Sequence, residues 1–156
     1  MKKWTIEVSR QTTAKKEQLW KLWADVANWN SWDSTVEHSK LYGDFCAGTK
    51  GEVKPVGGPK YKFLIADCKP FETFTNRSYL PFCRADFILT LDETPNGVLV
   101  TYKVEMTGFL TFFFSKIIGK MMAKGLPKGI EDLVANAEKF LPSEKQRSTE
   151  RSVVNG

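Results

Sequence analysis

Histidine is almost missing from this 156-residue chain, His38 being the only one. That excludes multi-histidine metal sites and leaves one conventional general base near neutral pH. A lone histidine in a strand pattern is usually structural or exposed. Cysteine is scarce as well: Cys46, Cys68 and Cys83 are odd in number and match no metal-ligand spacing. They read as reduced thiols in a cytoplasmic setting, with no disulfide framework. No glycine-rich phosphate loop precedes a helix, since Gly57, Gly58 and Pro59 fall between strand patterns without the lysine and hydroxyl residue such a loop needs. Nucleotide is therefore not expected, and no cofactor is implied. No apolar run reaches the roughly 18 residues of a spanning helix, because Lys116 and Lys120 interrupt the Phe-rich stretch. The opening residues, MKKWTIEVSRQ, lack the continuous apolar segment of a secretory signal. Neither a membrane span nor export is expected, and internal repeats are absent.

What is present is a single domain's worth of chain with a basic balance, 23 Lys and Arg against 18 Asp and Glu. A net charge of +5 leaves acidic partners open, including phospholipid surfaces. Nucleic acid is disfavoured, because the aromatics fall on faces that pattern as buried, whereas stacking platforms must be exposed beside basic residues.

Trp4, Ile6 and Val8 alternate with Thr5, Glu7 and Ser9, which predicts a half-buried first strand. Thr13 is placed to cap a helix in which Leu19, Trp20, Leu22, Trp23, Val26 and Ala27 recur at three- and four-residue spacing. Trp29 and Trp32 follow on a short turn or second helix, aromatics of the kind that anchor cores. From Val36 the texture becomes short segments divided by turn residues, as in antiparallel sheet. Strands are predicted over Val36–Tyr42, Lys50–Pro55, Tyr61–Cys68, Thr73–Tyr79, Arg84–Leu91 and Val98–Thr107, the last two joined by a turn at Pro95, Asn96 and Gly97.

The chain closes on a long apolar and basic stretch, Gly108 to Leu141. At 100° per residue, Leu110, Phe113, Phe114, Ile117, Ile118 and Met121 share one face. Leu126, Ile130, Leu133, Val134, Ala137, Phe140 and Leu141 centre on nearly the opposite one. The phase changes at Gly125, Pro127 and Gly129, which predicts two helical segments meeting near Leu126. Lys116, Lys120, Lys124 and Lys128 form a basic stripe with no acid among them, suited to a solvated flank or to peripheral contact with an anionic membrane through Lys116, Lys120 and Lys124. Pro142 is expected to stop the helix, which divides the chain into a domain over residues 1–141 and a disordered polar tail over 142–156.

The segment EQLWKLWADVANWNSWDSTVEHSKLYGDFCAGTKGEVKP resembles the opening of START-like (SRPBCC, helix-grip) proteins of the polyketide cyclase/dehydrase-like branch. Trp20, Trp32, Asp33, Gly48, Thr49 and Gly51 stand where that family has its tryptophans, its W-D pair and its G-T-x-G strand. FTNRS at Phe74–Ser78 resembles the fifth strand and GLPKGIEDLVANAEKF the closing helix, so the likeness spans about Trp4 to Phe140. It implies an α+β helix-grip fold: a seven-stranded antiparallel curved sheet, two short helices after strand one, and a long kinked C-terminal helix across a hydrophobic cavity. Members bind or transport lipids, polyketides, sterols, quinones or plant hormones, and some catalyse cyclisation or dehydration. The matched glycines and tryptophans are structural, so no catalytic residue comes with them. Asn76 departs from the family, where an aromatic is common, and makes the wall locally more polar.

On the alternation above, Phe63, Ile65, Phe74, Asn76, Phe87, Leu89, Val100, Tyr102, Val104 and Met106 line the concave side of the sheet. Phe113, Ile117 and Met121, or the second helical segment, face them. Apolar walls with few polar groups suit a small hydrophobic ligand, oriented by Tyr102, Asn76 or Ser78. Glu37, Asp67 and Tyr102 are the groups open to a cyclase or dehydratase reading, the carboxylates only if buried beside the cavity. A third reading is a membrane-peripheral or partner-binding module using Phe112 to Met122.

Overall fold

The structure, a computed structural model, describes the backbone of residues 3–154 and the side chains of residues 3–139. Seven strands alternate along the chain with two helical elements after the first and one at the end. They are β1 (Lys3–Thr12), α1 (Lys16–Ala24), a 3-10 helix (Val26–Ser31), β2 (Val36–Leu41), β3 (Lys50–Pro55), β4 (Tyr61–Lys69), β5 (Thr73–Leu80), β6 (Cys83–Thr94), β7 (Gly97–Thr107) and α2 (Thr111–Val154). All neighbours are antiparallel, in the order β1-β7-β6-β5-β4-β3-β2. This is the expected α+β helix-grip arrangement.

The period-two alternation read from the sequence is physically expressed in β7, where Val98, Val100, Tyr102, Val104 and Met106 are 4% exposed or less and the residues between them are half-buried. Register carries that face across the sheet. One row runs Phe74, Leu89, Tyr102, Val8; the next runs Ile65, Asn76, Phe87, Val104, Ile6. A third runs Ser78, Ala85, Met106, Trp4. Gly51 lets β3 close over this face, because a Cβ there would stand 2.5 Å from Phe63 Cζ and 2.6 Å from the Lys40 carbonyl oxygen.

Helix α1 starts two residues later than the Thr13 cap predicts. The Thr12 hydroxyl takes the Ala14 amide at 3.0 Å and itself donates to Glu138, so the turn before the helix is already tied, and Gln18 Oε1 accepts from the Lys15 amide at 3.3 Å instead. Trp20, Trp23, Phe45 and Phe74 form one aromatic cluster with ring centroids 4.9–6.1 Å apart, and Trp29 stacks on Phe63. The tryptophans are core anchors, as expected.

Helix α2 departs from expectation in two ways. It is unbroken from Thr111 to Val154, through Gly125, Pro127 and Gly129, where two segments are predicted, and past Pro142, where the helix is expected to stop. A proline removes one backbone hydrogen bond, and the bonds on either side can carry the helix on. The expected disorder of residues 142–156 falls on positions whose side chains lie outside the described residues, as do those of Phe140 and Leu141. The change of phase is expressed as a change of packing partner. Leu126, Ile130, Leu133, Val134 and Ala137 are at most 3% exposed and hold the second half on the core. Arg10 to Glu131 and Ser34 to Asp132 pin its flanks. In the first half, Gly119 sits against the Trp4 ring on one side, while Met121 reaches Gly58 in the β3–β4 turn on the other. A curved sheet offers walls in several directions, so a continuous helix need not bury one face throughout.

Candidate ligand site

The concave face is not equally closed along its length. The row of Phe74, Leu89 and Tyr102 is sealed, each at most 4% exposed, beneath Trp20, Trp23 and the second half of α2. One row on, Asn76 and Phe87 are half-buried; in the next, Ser78 and Ala85 are half-buried. Since these groups point to the concave side, the surface they leave open faces the space under the first half of α2. Tyr61, on the same side of β4 as Phe63 and Ile65, is 40% exposed, yet burial pushes its phenol up to about 12, with the charge of Asp33 adding to the effect. Tyr61 thus stands on the concave side with part of its surface open, at the edge of the gap under the first half of α2.

Polar groups stand on this face and in the sealed row beside it. The Oδ1 atom of Asn76 is buried with no hydrogen-bond partner among the described residues. The Tyr102 oxygen accepts from Trp23 Nε1 at 3.2 Å, and its own proton is left without an acceptor among them. Desolvation holds the Tyr102 phenol far above its ordinary value, the Trp23 bond opposing and Asp33 and Asp132 adding to the rise. Asp33 itself is raised, first by burial, against the opposing Thr35 hydroxyl and amide bonds, with the charge of Asp132 adding to the rise. Gly129 brings α2 close here: a Cβ on it would lie 3.5 Å from Asp33 Oδ2 and 3.7 Å from Tyr102 Cε2. The assembly is an apolar wall with a few polar groups held toward their neutral forms, suited to orienting a largely apolar ligand.

Of the residues the sequence nominates, Phe63, Ile65, Phe74, Leu89, Val100, Tyr102, Val104 and Met106 are buried on the concave face, with Asn76 and Phe87 half-open beside them. Ser78 is there too, but its hydroxyl is spent on the Lys62 carbonyl at 3.0 Å. Phe113, Ile117 and Met121 are 58%, 54% and 43% exposed; the half-buried side of that half-helix is carried by Phe114, Ile118 and Met122. Glu37 and Asp67 do not approach the gap. Both are exposed, Glu37 paired with Lys54, and His38 is exposed as well. Tyr61 and Asp33 were not singled out by their residue type. Tyr61 was legible only as an inward strand position, and Asp33 only as half of a structural W-D pair. An open groove of about 440 Å³ bordered by Lys16, Phe71 and Glu93 lies apart from these residues and gathers none of them.

A family model described as polyketide cyclase / dehydrase and lipid transport matches residues 3–138. The chain belongs to this family. The START-like resemblance of the tryptophan, W-D and G-T-x-G segments is thereby borne out. No curated protein matches the sequence. Among solved structures, the Zhui aromatase/cyclase from Streptomyces sp. R1128 is similar with a TM-score of 0.72 at 9% identity, over 90% of this chain and 96% of that one. Norcoclaurine synthase from Thalictrum flavum gives 0.69 at 12% identity, over 88% and 96%. Protein MLL2253 from Mesorhizobium loti gives 0.69 at 18% identity, over 87% and 98%. At these identities the family member shares their fold. Among the described residues, no helix is long and apolar enough to cross a membrane, and no group of three or more His, Cys, Asp or Glu is arranged to hold a metal.

Proposed function

We propose that this family member binds, and passes on, a small and largely apolar molecule in the space between the concave sheet and the first half of α2. The observation that carries the reading is Asn76: a buried, unpartnered amide oxygen among half-open apolar residues is an acceptor waiting for a donor. In the adjoining sealed row the Tyr102 hydroxyl, which accepts from Trp23 Nε1, is the nearest complementary donor that opening of the gate would offer. The ligand would therefore be apolar over most of its surface and carry one polar end, a hydroxyl or carbonyl. The buried second half of α2 is the fixed grip and the exposed first half the gate, acting in the cytoplasm on a chain whose three cysteines are free. A transfer protein of this kind meets its ligand at a membrane, and Lys116, Lys120 and Lys124 offer contact with an anionic one.

The test is displacement of a fluorescent apolar probe. Asn76→Leu should retain probe binding while lowering affinity for displaced alcohols and ketones about five- to tenfold, the value of one hydrogen bond. Equal affinity of both proteins for every competitor would contradict the reading.

A cyclase or dehydratase is the second reading. It is favoured by Asp33 and the phenols of Tyr61 and Tyr102, all held toward their protonated forms beside the gap. On that reading Tyr102→Phe and Asp33→Asn each abolish turnover of a polyketide-like substrate without releasing it.

A further inference from the structure

The molecule displays large apolar side chains at one end. Phe82 is 77% exposed at the tip of the β5–β6 hairpin and Phe109 is 88% exposed where β7 leads into α2. The two segments form one tip, because the Leu110 amide donates to the Phe82 carbonyl at 3.1 Å. Gly108, at φ +124°, permits this approach; a Cβ on it would stand 2.6 Å from that same oxygen.

Phe82 is an unusual choice for its place. Leu80 and Cys83 pair across the turn, Pro81 occupies its first central position, and Phe82 takes the second with φ +53°. That position ordinarily favours glycine, and a bulky residue there is strained. Burial of the ring within this chain does not compensate the strain, since the ring stands in solvent. Strain of this kind persists where the displayed group has work to do.

Beside the tip runs the outward side of α2. Phe113, Lys116, Ile117, Lys120 and Lys124 fall within about a third of a turn of one another, all exposed. Among the described residues the three lysines make no ion pair, and the sequence has no acid between Glu105 and Glu131. Aromatic rings at a tip, flanked by unpaired lysines, match the layered chemistry of a lipid bilayer: apolar groups enter the acyl boundary while cations meet anionic headgroups. A second copy of the chain is a poor occupant, because a two-fold contact centred on this face would bring two basic stripes together with no acid between them.

We propose that the hairpin tip at Phe82 and Phe109, with the lysines of the first half of α2, docks this protein on anionic lipid bilayers. Docking would place the gate of the pocket at the membrane surface. It rests on the ligand reading for its purpose and not for its geometry.

The test is co-sedimentation of the full chain with vesicles of phosphatidylcholine alone or mixed with phosphatidylserine, at low and high salt. The wild type should bind only the mixed vesicles, and salt should weaken it. Phe82→Gly with Phe109→Ser should lower binding at least tenfold with the melting temperature unchanged or raised, since glycine suits the turn. Lys116→Glu with Lys120→Glu should lower it at least about 25-fold, at about fivefold per lysine removed. No binding to mixed vesicles at low salt would overturn the proposal. So would full binding by the Phe82 and Phe109 variant, or a dimer in solution abolished by the same substitutions. Probe binding by the wild type separates the two readings: a wild type that takes the probe and binds no mixed vesicles overturns docking alone, and one that binds mixed vesicles and takes no probe overturns the ligand reading alone.

Discussion

Removing a single oxygen atom from Tyr102 separates its structural role from its ligand role. The hydroxyl sits in a residue only 3% exposed and accepts a hydrogen bond from Trp23 Nε1 at 3.2 Å, while Trp23 is 1% exposed. In Tyr102→Phe the indole donor keeps its buried position and loses its acceptor. The ring packing survives, since the Trp23 and Phe87 contacts, with centroids at 6.1 Å and 5.7 Å, are made by the ring. Leaving one buried donor unsatisfied costs about 1–3 kcal/mol. In a chain of this size each kcal/mol corresponds to about 2–4 °C of Tm. Tyr61→Phe is the matched control: no hydrogen bond of the Tyr61 hydroxyl is among those of the described residues, so its removal should leave stability within about 0.5 kcal/mol. Urea unfolding followed by circular dichroism measures both. Equal stability of Tyr102→Phe and the wild type would refute the claim that Trp23 depends on this oxygen, and an equal loss in Tyr61→Phe would refute the assignment of its phenol to the gap.

The two halves of α2 should respond differently to truncation: Leu133→Ala, fully buried, should cost about 2–5 kcal/mol, and Ile117→Ala, 54% exposed, no more than about 0.5 kcal/mol, by the same unfolding assay. Gly51→Ala should destabilise by about 1–3 kcal/mol, because its methyl would overlap Phe63 and the Lys40 carbonyl; an unchanged midpoint would show that β3 is not held so tightly. Asp33 gives a pH dependence. Burial raises its folded-state pKa above the unfolded value, so its contribution to stability is fully present below the unfolded pKa and is lost as pH rises through the folded one. Asp33→Asn, which keeps an oxygen for the Thr35 donors, should therefore gain stability relative to the wild type as pH rises above the ordinary aspartate range; a difference that does not change with pH would contradict the burial of the carboxylate.

The strands were legible because each has one wet and one dry face, and a period of two in residue type follows from that. Lys50–Pro55 is predicted and observed with the same ends. The concave wall followed, since register only joins faces already sorted by alternation. Helix α2 was harder for a definite reason. Its periodicity reveals two apolar faces, but which of them is covered depends on the curvature of the sheet, a property of contacts between Trp4, Gly58 and a helix far along the chain. Phe113, Ile117 and Met121 were thus assigned inward from a correct helical pattern. Asp33 and Tyr61 escaped notice because their significance is environmental: neither residue type nor spacing signals a carboxylate pressed against Gly129 or a phenol lining a gap. Phe82 falls between two predicted strands, and the positive φ of a phenylalanine is invisible until the chain is folded.

The central claim, that the space under the first half of α2 takes a small apolar molecule, is tested most directly by native mass spectrometry of the freshly purified protein, alone and after incubation with mixed lipid and polyketide-like compounds. The account predicts a discrete added mass that vanishes on denaturation and weakens in Asn76→Leu. A bare-chain mass under every condition would contradict it.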